Sequence, residues 1–182
     1  DEVDLVVLAA NGKSFCAGAD LTWMKAMASY TYEENLADAQ KLAKMLETMY
    51  RFPKPLIAKV QGDAYGGGVG LAAVCDIVVA CEEAHFCLSE ARLGLLPATI
   101  SPYVIKALGE QACRRYFITS ERFSTTEAHR LGFVHIVCPP SALDLHVEKV
   151  TQSTLQNGPA AVIECKKLVQ DYASRDIETT LV

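Results

Sequence analysis

Two short stretches of small residues in this 182-residue chain have the makings of an anion-stabilising site. Gly66-Gly67-Gly68 follows a predicted strand and opens a predicted helix. Residues without a Cβ let a ligand approach the backbone closely. The first N–H groups of a helix lack internal partners and sit at its positive end. Such a turn stabilises negative charge, either a phosphate or an oxyanion that develops during a reaction. A phosphate loop needs Lys and Ser/Thr just after its glycines. Here Val69, Gly70, Leu71 and Ala72 follow, and no GxGxxG fingerprint opens. The oxyanion reading fits better, although the same glycines would also serve a tight turn with close helix–sheet packing. The second stretch, Phe15-Cys16-Ala17-Gly18-Ala19-Asp20, also follows a predicted strand. Alone it reads as a turn. Together the two loops would supply the pair of N–H donors that an acyl thioester enolate needs.

Other chemistries find little support. His85, His129, His135 and His146 show no ligand spacing such as HExxH, so no metal site is expected. No G-x-S-x-G elbow is present for a Ser/His/Asp triad. The seven cysteines are scattered, odd in number and never in a CxxC pair, which reads as buried reduced thiols in a cytoplasmic protein.

The elements that must position these loops follow from hydrophobic period and punctuation. Val3 to Ala10 is an apolar run ending at Asn11-Gly12, a strand followed by a turn. Tyr32 to Tyr50 has helical spacing, with Leu36, Ala39, Leu42, Ala43, Leu46 and Met49 on one face. Phe52-Pro53-Lys54-Pro55 ends that helix. Strands are predicted at Leu56 to Val60, Asp76 to Cys81, Ala84 to Ser89 and Phe133 to Cys138. Ser101-Pro102 predicts an N-cap with Pro at the first helical position, and Gly109 closes that helix. Further helices are expected over Gln111 to Ile118, after a Thr125 or Thr126 cap, over Ser141 to Gln156 and over Pro159 to Tyr172. Alternating strands and helices make the class α/β. No repeat or linker interrupts the pattern, so one domain is expected. The net charge of −5 argues against a nucleic-acid or anionic-membrane surface. No apolar run reaches bilayer-spanning length. The chain opens on Asp1 with no signal-like segment, and is read as a fragment.

Taken together the segments resemble the crotonase (enoyl-CoA hydratase/isomerase) superfamily. The resemblance rests on residues 12–21 (Gly-Lys-Ser-Phe-Cys-Ala-Gly-Ala-Asp-Leu), on Pro55 to Gly62, on Gly66-Gly67-Gly68, Cys75-Asp76-Ile77 and Phe86 to Glu90. Leu93 to Pro97 and Ala128 to Val134 match later blocks, all in the family's order. The resemblance implies a crotonase-like spiral of ββα units over residues 1–138. A helical region over 139–182 would be used in trimer formation, within a single domain over 1–182. The family's N-terminal strands and last C-terminal helices have no counterpart here. It implies an oxyanion hole formed by the N–H groups of Ala19 and Gly67, and Glu90 as catalytic acid/base. Ala17, Asp20, Trp23, Tyr65, Gly66 and Pro97 are expected around the substrate, with Met24 and Met27 as further lining. The substrate is an acyl-CoA thioester, with no cofactor and no metal, no nucleic acid and no membrane. The assembly is a homotrimer or dimer of trimers.

Hydratases of the family usually carry two glutamates. The position of the first is Gly70 here, and the second falls at Glu90. An apolar setting should raise the Glu90 pKa, which suits proton transfer near neutrality. Two reactions remain open, water addition to a 2-enoyl-CoA and a single-base double-bond shift. A non-catalytic CoA-binding scaffold is the alternative of another class. Gly-Gly-Gly-Val-Gly-Leu, Cys-Leu-Ser-Glu and Pro-Ala-Thr-Ile-Ser-Pro-Tyr-Val resemble the bacterial hydratases of 3-methylglutaconyl-CoA and isohexenylglutaconyl-CoA, in leucine and acyclic terpene breakdown. Such substrates carry a distal carboxylate, for which Lys25, Arg92, Lys106, Arg114 and Arg115 are candidate partners.

Overall fold

The computed structural model describes residues 3–173. Its framework is a parallel sheet of β1 (Val6–Ala9), β2 (Leu56–Val60), β4 (Ile77–Cys81) and β7 (Ile136–Cys138), in that spatial order. Val6 pairs with Leu56, Ile57 with Ile77 and Val79 with Ile136. Side chains alternate across a pleated strand, and here both faces are covered. Ile57 and Val79 pack with Leu143 and Val147 of α7 (Leu143–Leu155) on one side. Ala58, Val60, Val78 and Ala80 join the main core on the other. That explains why β2 and β4 read as continuous apolar runs rather than alternating ones.

A second, smaller sheet holds β3 (Ala64–Tyr65), β5 (His85–Cys87) and β6 (Phe123–Ser124), with β3 parallel and β6 antiparallel to β5. Phe86 anchors it, stacked 5.7 Å from Phe123 and edge-on 5.2 Å from Phe133. The sequence reading contained neither β3 nor β6, because two residues are too few for a period to emerge.

The helices follow the sequence closely. α1 (Leu21–Met27) and α2 (Tyr32–Tyr50) come first. Thr31 caps α2 in a capping box, its Oγ1 accepting from Glu34 N–H while Glu34 accepts from Thr31 N–H. α3 (Gly67–Ala73) follows β3, and α4 (Ser101–Leu108), α5 (Glu110–Thr119) and α6 (Thr125–Arg130) follow β5. Two caps differ from expectation. Ser101 is the first residue of α4 rather than its cap; Ile100 holds the cap position, and Ser101 Oγ donates to Ala98 O. Ser124, not Thr125 or Thr126, caps α6 by accepting from Glu127 N–H. The Thr125 hydroxyl is instead buried, bonding the carbonyls of Cys81 and Ala84.

α8 (Pro159–Tyr172) is attached mainly by polar groups. Lys166 Nζ donates to Asp76 Oδ2 (2.7 Å) and to Lys54 O (3.2 Å), and Gln170 Nε2 donates to Tyr50 O (2.7 Å). Asp76 Oδ2 also accepts from Leu56 N–H, so one carboxylate ties the start of β2 to α8. No residue of α8 is fully buried, and Leu168 and Val169 are exposed, as are Leu145 and Leu155 of α7. Residues 174–182 of the expected helical region lie outside the described residues.

Candidate active site

The two small-residue loops stand side by side. The chain from Phe15 to Cys16 runs against residues 63–65: Phe15 and Cys16 N–H both donate to Asp63 O, and Tyr65 N–H donates to Cys16 O. Gly68 fits against this loop only because it lacks a side chain, since a Cβ there would stand 2.7 Å from Cys16 Cβ and 2.8 Å from Cys16 O. The turn itself needs glycine too, with Gly66 at φ +51° as the cap of α3 and its N–H donating to Cys87 O at 2.8 Å. Gly67, the first residue of α3, has no intrahelical acceptor for its N–H. A Cβ on Gly67 would meet nothing within 4 Å, so this residue fronts open space.

Glu90 reaches the same turn from β5. It opens a 3₁₀ turn, Glu90–Leu93, and its Oε1 lies 3.1 Å from where a Cβ on Gly66 would be. Oε2 is buried without a hydrogen-bond partner. Burial pushes the Glu90 carboxyl above the usual glutamate range, countered only in part by its own backbone N–H. The turn is fixed from behind: Leu95 N–H donates to Glu90 O, and Arg92 Nη2 donates to Ser120 O at 2.6 Å. Ser120 is a buried residue at φ +50°, and Cys87 Sγ donates to the same carbonyl.

Asp63 is a structural hub that sequence reasoning missed. Its Oδ2 accepts from Tyr65 OH (2.6 Å) and Arg122 Nη2 (2.8 Å), and its Oδ1 accepts from His85 N–H (2.8 Å). Burial raises the Asp63 pKa, but the bonds from Tyr65 and His85 N–H and the Arg122 charge outweigh it, and the net direction is down. These partners come from β3, β5 and the approach to β6, up to 59 residues away, so no local pattern could flag the residue.

The remaining expected site residues divide. Asp20 caps α1, its Oδ1 accepting from Thr22 and Trp23 N–H, so its carboxylate is engaged within the loop. Tyr65 directs its hydroxyl to Asp63 rather than toward a ligand. Ala17 and Ala19 are exposed on the loop, Trp23 is half-buried, and Pro97 is buried with its carbonyl accepting from Ser101 N–H. Of the five candidate cations, Arg114 pairs with Glu110, Arg115 with Glu121, and Lys106 lies over Tyr50. Arg92 is held by Ser120. Lys25, in the last turn of α1, has no such partner among the described residues.

At Gly70, where the sequence resemblance places the first glutamate, a side chain has no room. A Cβ there would lie 2.8 Å from Ile100 Cβ and closer still to its Cγ2. Nor do the cysteines offer a nucleophile in the interior: burial pushes the Cys75 thiol up to about 12 and Cys113 up to about 11. Among the described residues no group of His, Cys, Asp and Glu could hold a metal ion, and no helix is long and apolar enough to cross a membrane.

The arrangement therefore offers one half-buried carboxyl of raised pKa beside a helix-opening glycine turn that packs against the Phe15–Cys16 loop. Known proteins similar to this chain are numerous. A family model described as enoyl-CoA hydratase/isomerase matches residues 1–181. The chain is 32% identical over 181 residues to a crotonyl-CoA hydratase from Syntrophomonas wolfei, covering 98% of this chain and 68% of that one. It is 36% identical over 173 residues to enoyl-CoA hydratase ACTT6 from Alternaria alternata, covering 92% of this chain and 55% of the relative. The crystal structure of an enoyl-CoA hydratase from Shewanella pealeana matches it with a TM-score of 0.92 at 43% identity, over 97% of this chain and 67% of that one. The chain spans 66%, 55% and 62% of the lengths of three curated relatives.

Proposed function

Because the chain belongs to the enoyl-CoA hydratase/isomerase family and has its crotonase-like α/β fold, we propose that the whole protein adds water to a 2-enoyl-CoA thioester, with Glu90 as the acid/base. The observation that carries this is the half-buried Glu90 carboxyl, its Oε2 buried without a partner, beside the Gly66 turn. The thioester oxygen accepts from the N–H groups of Ala19 and Gly67. Ionised Glu90 takes a proton from water as the hydroxyl bonds to C3. The C2=C3 electron pair moves to make the enolate, whose charge the two N–H groups hold. Protonated Glu90 then returns its proton to C2, giving the 3-hydroxyacyl-CoA. No cofactor takes part.

A double-bond shift is the second reading, favoured by the side chain of Ile100 standing where a second carboxylate would enter. Glu90 would then remove a proton from C4 and return it to C2, or the reverse. The narrower substrate we propose is a branched glutaconyl-CoA ester, supported by the resemblance of the Gly66–Leu71, Cys87–Glu90 and Pro97–Val104 segments. Lys25 is the proposed partner of its distal carboxylate.

We further propose one domain assembled as a trimer or a pair of trimers in the cytoplasm. The exposed Leu145, Leu155, Leu168 and Val169 of the two C-terminal helices support a covering subunit. The deciding experiment compares wild type with Glu90→Gln on crotonyl-CoA, 3-butenoyl-CoA and 3-methylglutaconyl-CoA, products being resolved by mass and retention. General acid–base catalysis is worth roughly a hundred- to ten-thousand-fold, so kcat should fall by that order with acyl-CoA affinity little changed. An equally active Glu90→Gln would remove Glu90 from the mechanism. Acyl-CoA binding by wild type without turnover of any substrate would favour a scaffold.

A further inference from the structure

Gly66 caps α3 and Gly70 lies one turn into it, its N–H donating to Gly66 O at 3.4 Å. A Cβ on Gly66 would meet the Glu90 carboxylate, and a Cβ on Gly70 would meet Ile100. Ile100 is not placed there loosely. It is 2% exposed, belongs to the main core, and caps α4, with Tyr103 and Val104 N–H both donating to its carbonyl. Swinging its side chain aside would empty a packed position. A side chain on residue 70 and the side chain of Ile100 therefore compete for one volume, one turn along from the Gly66 position that the Glu90 carboxyl meets.

We propose that Ile100 is a specificity-determining residue. It fills the volume that a side chain on residue 70 of α3 would need, and presents an apolar wall there, one turn along from the Gly66 position that Glu90 meets. The proposal rests on the enoyl-CoA reading and deepens it. With that wall in place, both proton steps run through one carboxylate, and no second group helps to orient water. Hydration needs a seated water, whereas a double-bond shift does not. The Gly70–Ile100 pair thus sets how the bound enoyl-CoA divides between the two outcomes. Gly70 gains a side chain without a clash only if Ile100 loses its own, since with residue 100 reduced to its backbone the nearest atom to a Cβ on residue 70 is Ile100 Cα, at 3.8 Å.

The test is a cycle in the whole protein: Gly70→Ala, Ile100→Gly, both together, and Gly70→Glu with Ile100→Gly. Overpacking should lower the Tm of Gly70→Ala by roughly 5–10 °C. The cavity in Ile100→Gly should lower it at least as much. The Gly70→Ala/Ile100→Gly protein should be more stable than the sum of the two losses allows. Purely additive losses would overturn the shared volume. On crotonyl-CoA and 3-butenoyl-CoA, Gly70→Glu/Ile100→Gly should raise the ratio of hydroxyacyl-CoA to shifted alkene by about tenfold or more over wild type, and an unchanged ratio would overturn the specificity role. If wild type converts neither ester, the enoyl-CoA reading fails on its own, and the thermal cycle alone then decides whether the two positions compete.

Discussion

Replacing Glu90 by Gln separates what the carboxyl does for chemistry from what it costs the fold. Glu90 Oε2 is buried with no partner, and the one bond that favours the charged form comes from the residue's own backbone N–H. Its folded-state pKa is raised above the ordinary 4.5. The native state therefore holds the proton more tightly than the unfolded chain. As pH rises above the ordinary value and through the raised one, the native state binds more protons than the unfolded state, and stability falls. Above both values the cost is constant, at about 1.4 kcal/mol for each unit of elevation. For a domain of this size that is roughly 3–5 °C of Tm per unit. Gln has no proton to lose, so the difference in Tm, variant minus wild type, should grow as pH rises from below the ordinary value through the raised one, and then level. The amide brings its own desolvation cost, which shifts the whole curve without tilting it. The pH dependence is the diagnostic, read by thermal melts in circular dichroism across that range. A flat difference, or one that grows toward acid, would refute the claim that burial strains this carboxyl.

Three further outcomes are expected. His135 Nδ1 accepts from Val78 N–H, and burial holds the ring's pKa below 6.5. Stability from this neutral ring is full above that value and is lost as pH falls through the lowered one; His135→Gln should flatten the acid side of the wild-type Tm profile. Lys166 is 8% exposed and bonds both Asp76 and the Lys54 carbonyl, so Lys166→Met should cost about 3 kcal/mol in urea unfolding by leaving Asp76 without its cation, whereas Lys167→Met, at an exposed i,i+3 pair, should cost under about 1 kcal/mol. Finally, Leu168→Asp with Val169→Asp should lower the assembly state measured by sedimentation while leaving the far-ultraviolet spectrum intact; an unchanged mass would show that this face covers nothing.

The sequence alone was enough for the elements whose signals are local. The apolar runs of β2 and β4, the amphipathic period of α2 and the Pro159–Tyr172 helix appear where period and punctuation predict them, because burial on one face or two is written residue by residue. The order of the Gly12–Leu21, Gly66–Gly68 and Phe86–Glu90 segments was also enough to identify the family. What it could not supply were relations between distant residues. β3 and β6 exist only as edges of β5. Asp63 becomes a hub only when β5 and the approach to β6 arrive beside it, and that same closure spends the Tyr65 hydroxyl internally. Arg92, one of five equivalent cations along the chain, is tied to the Ser120 carbonyl by a fold-wide contact. Gly70 in the sequence was merely a missing carboxylate. The tertiary structure makes it a filled position, because Ile100, thirty residues on, packs its side chain into the same volume, and close packing leaves no second place for one.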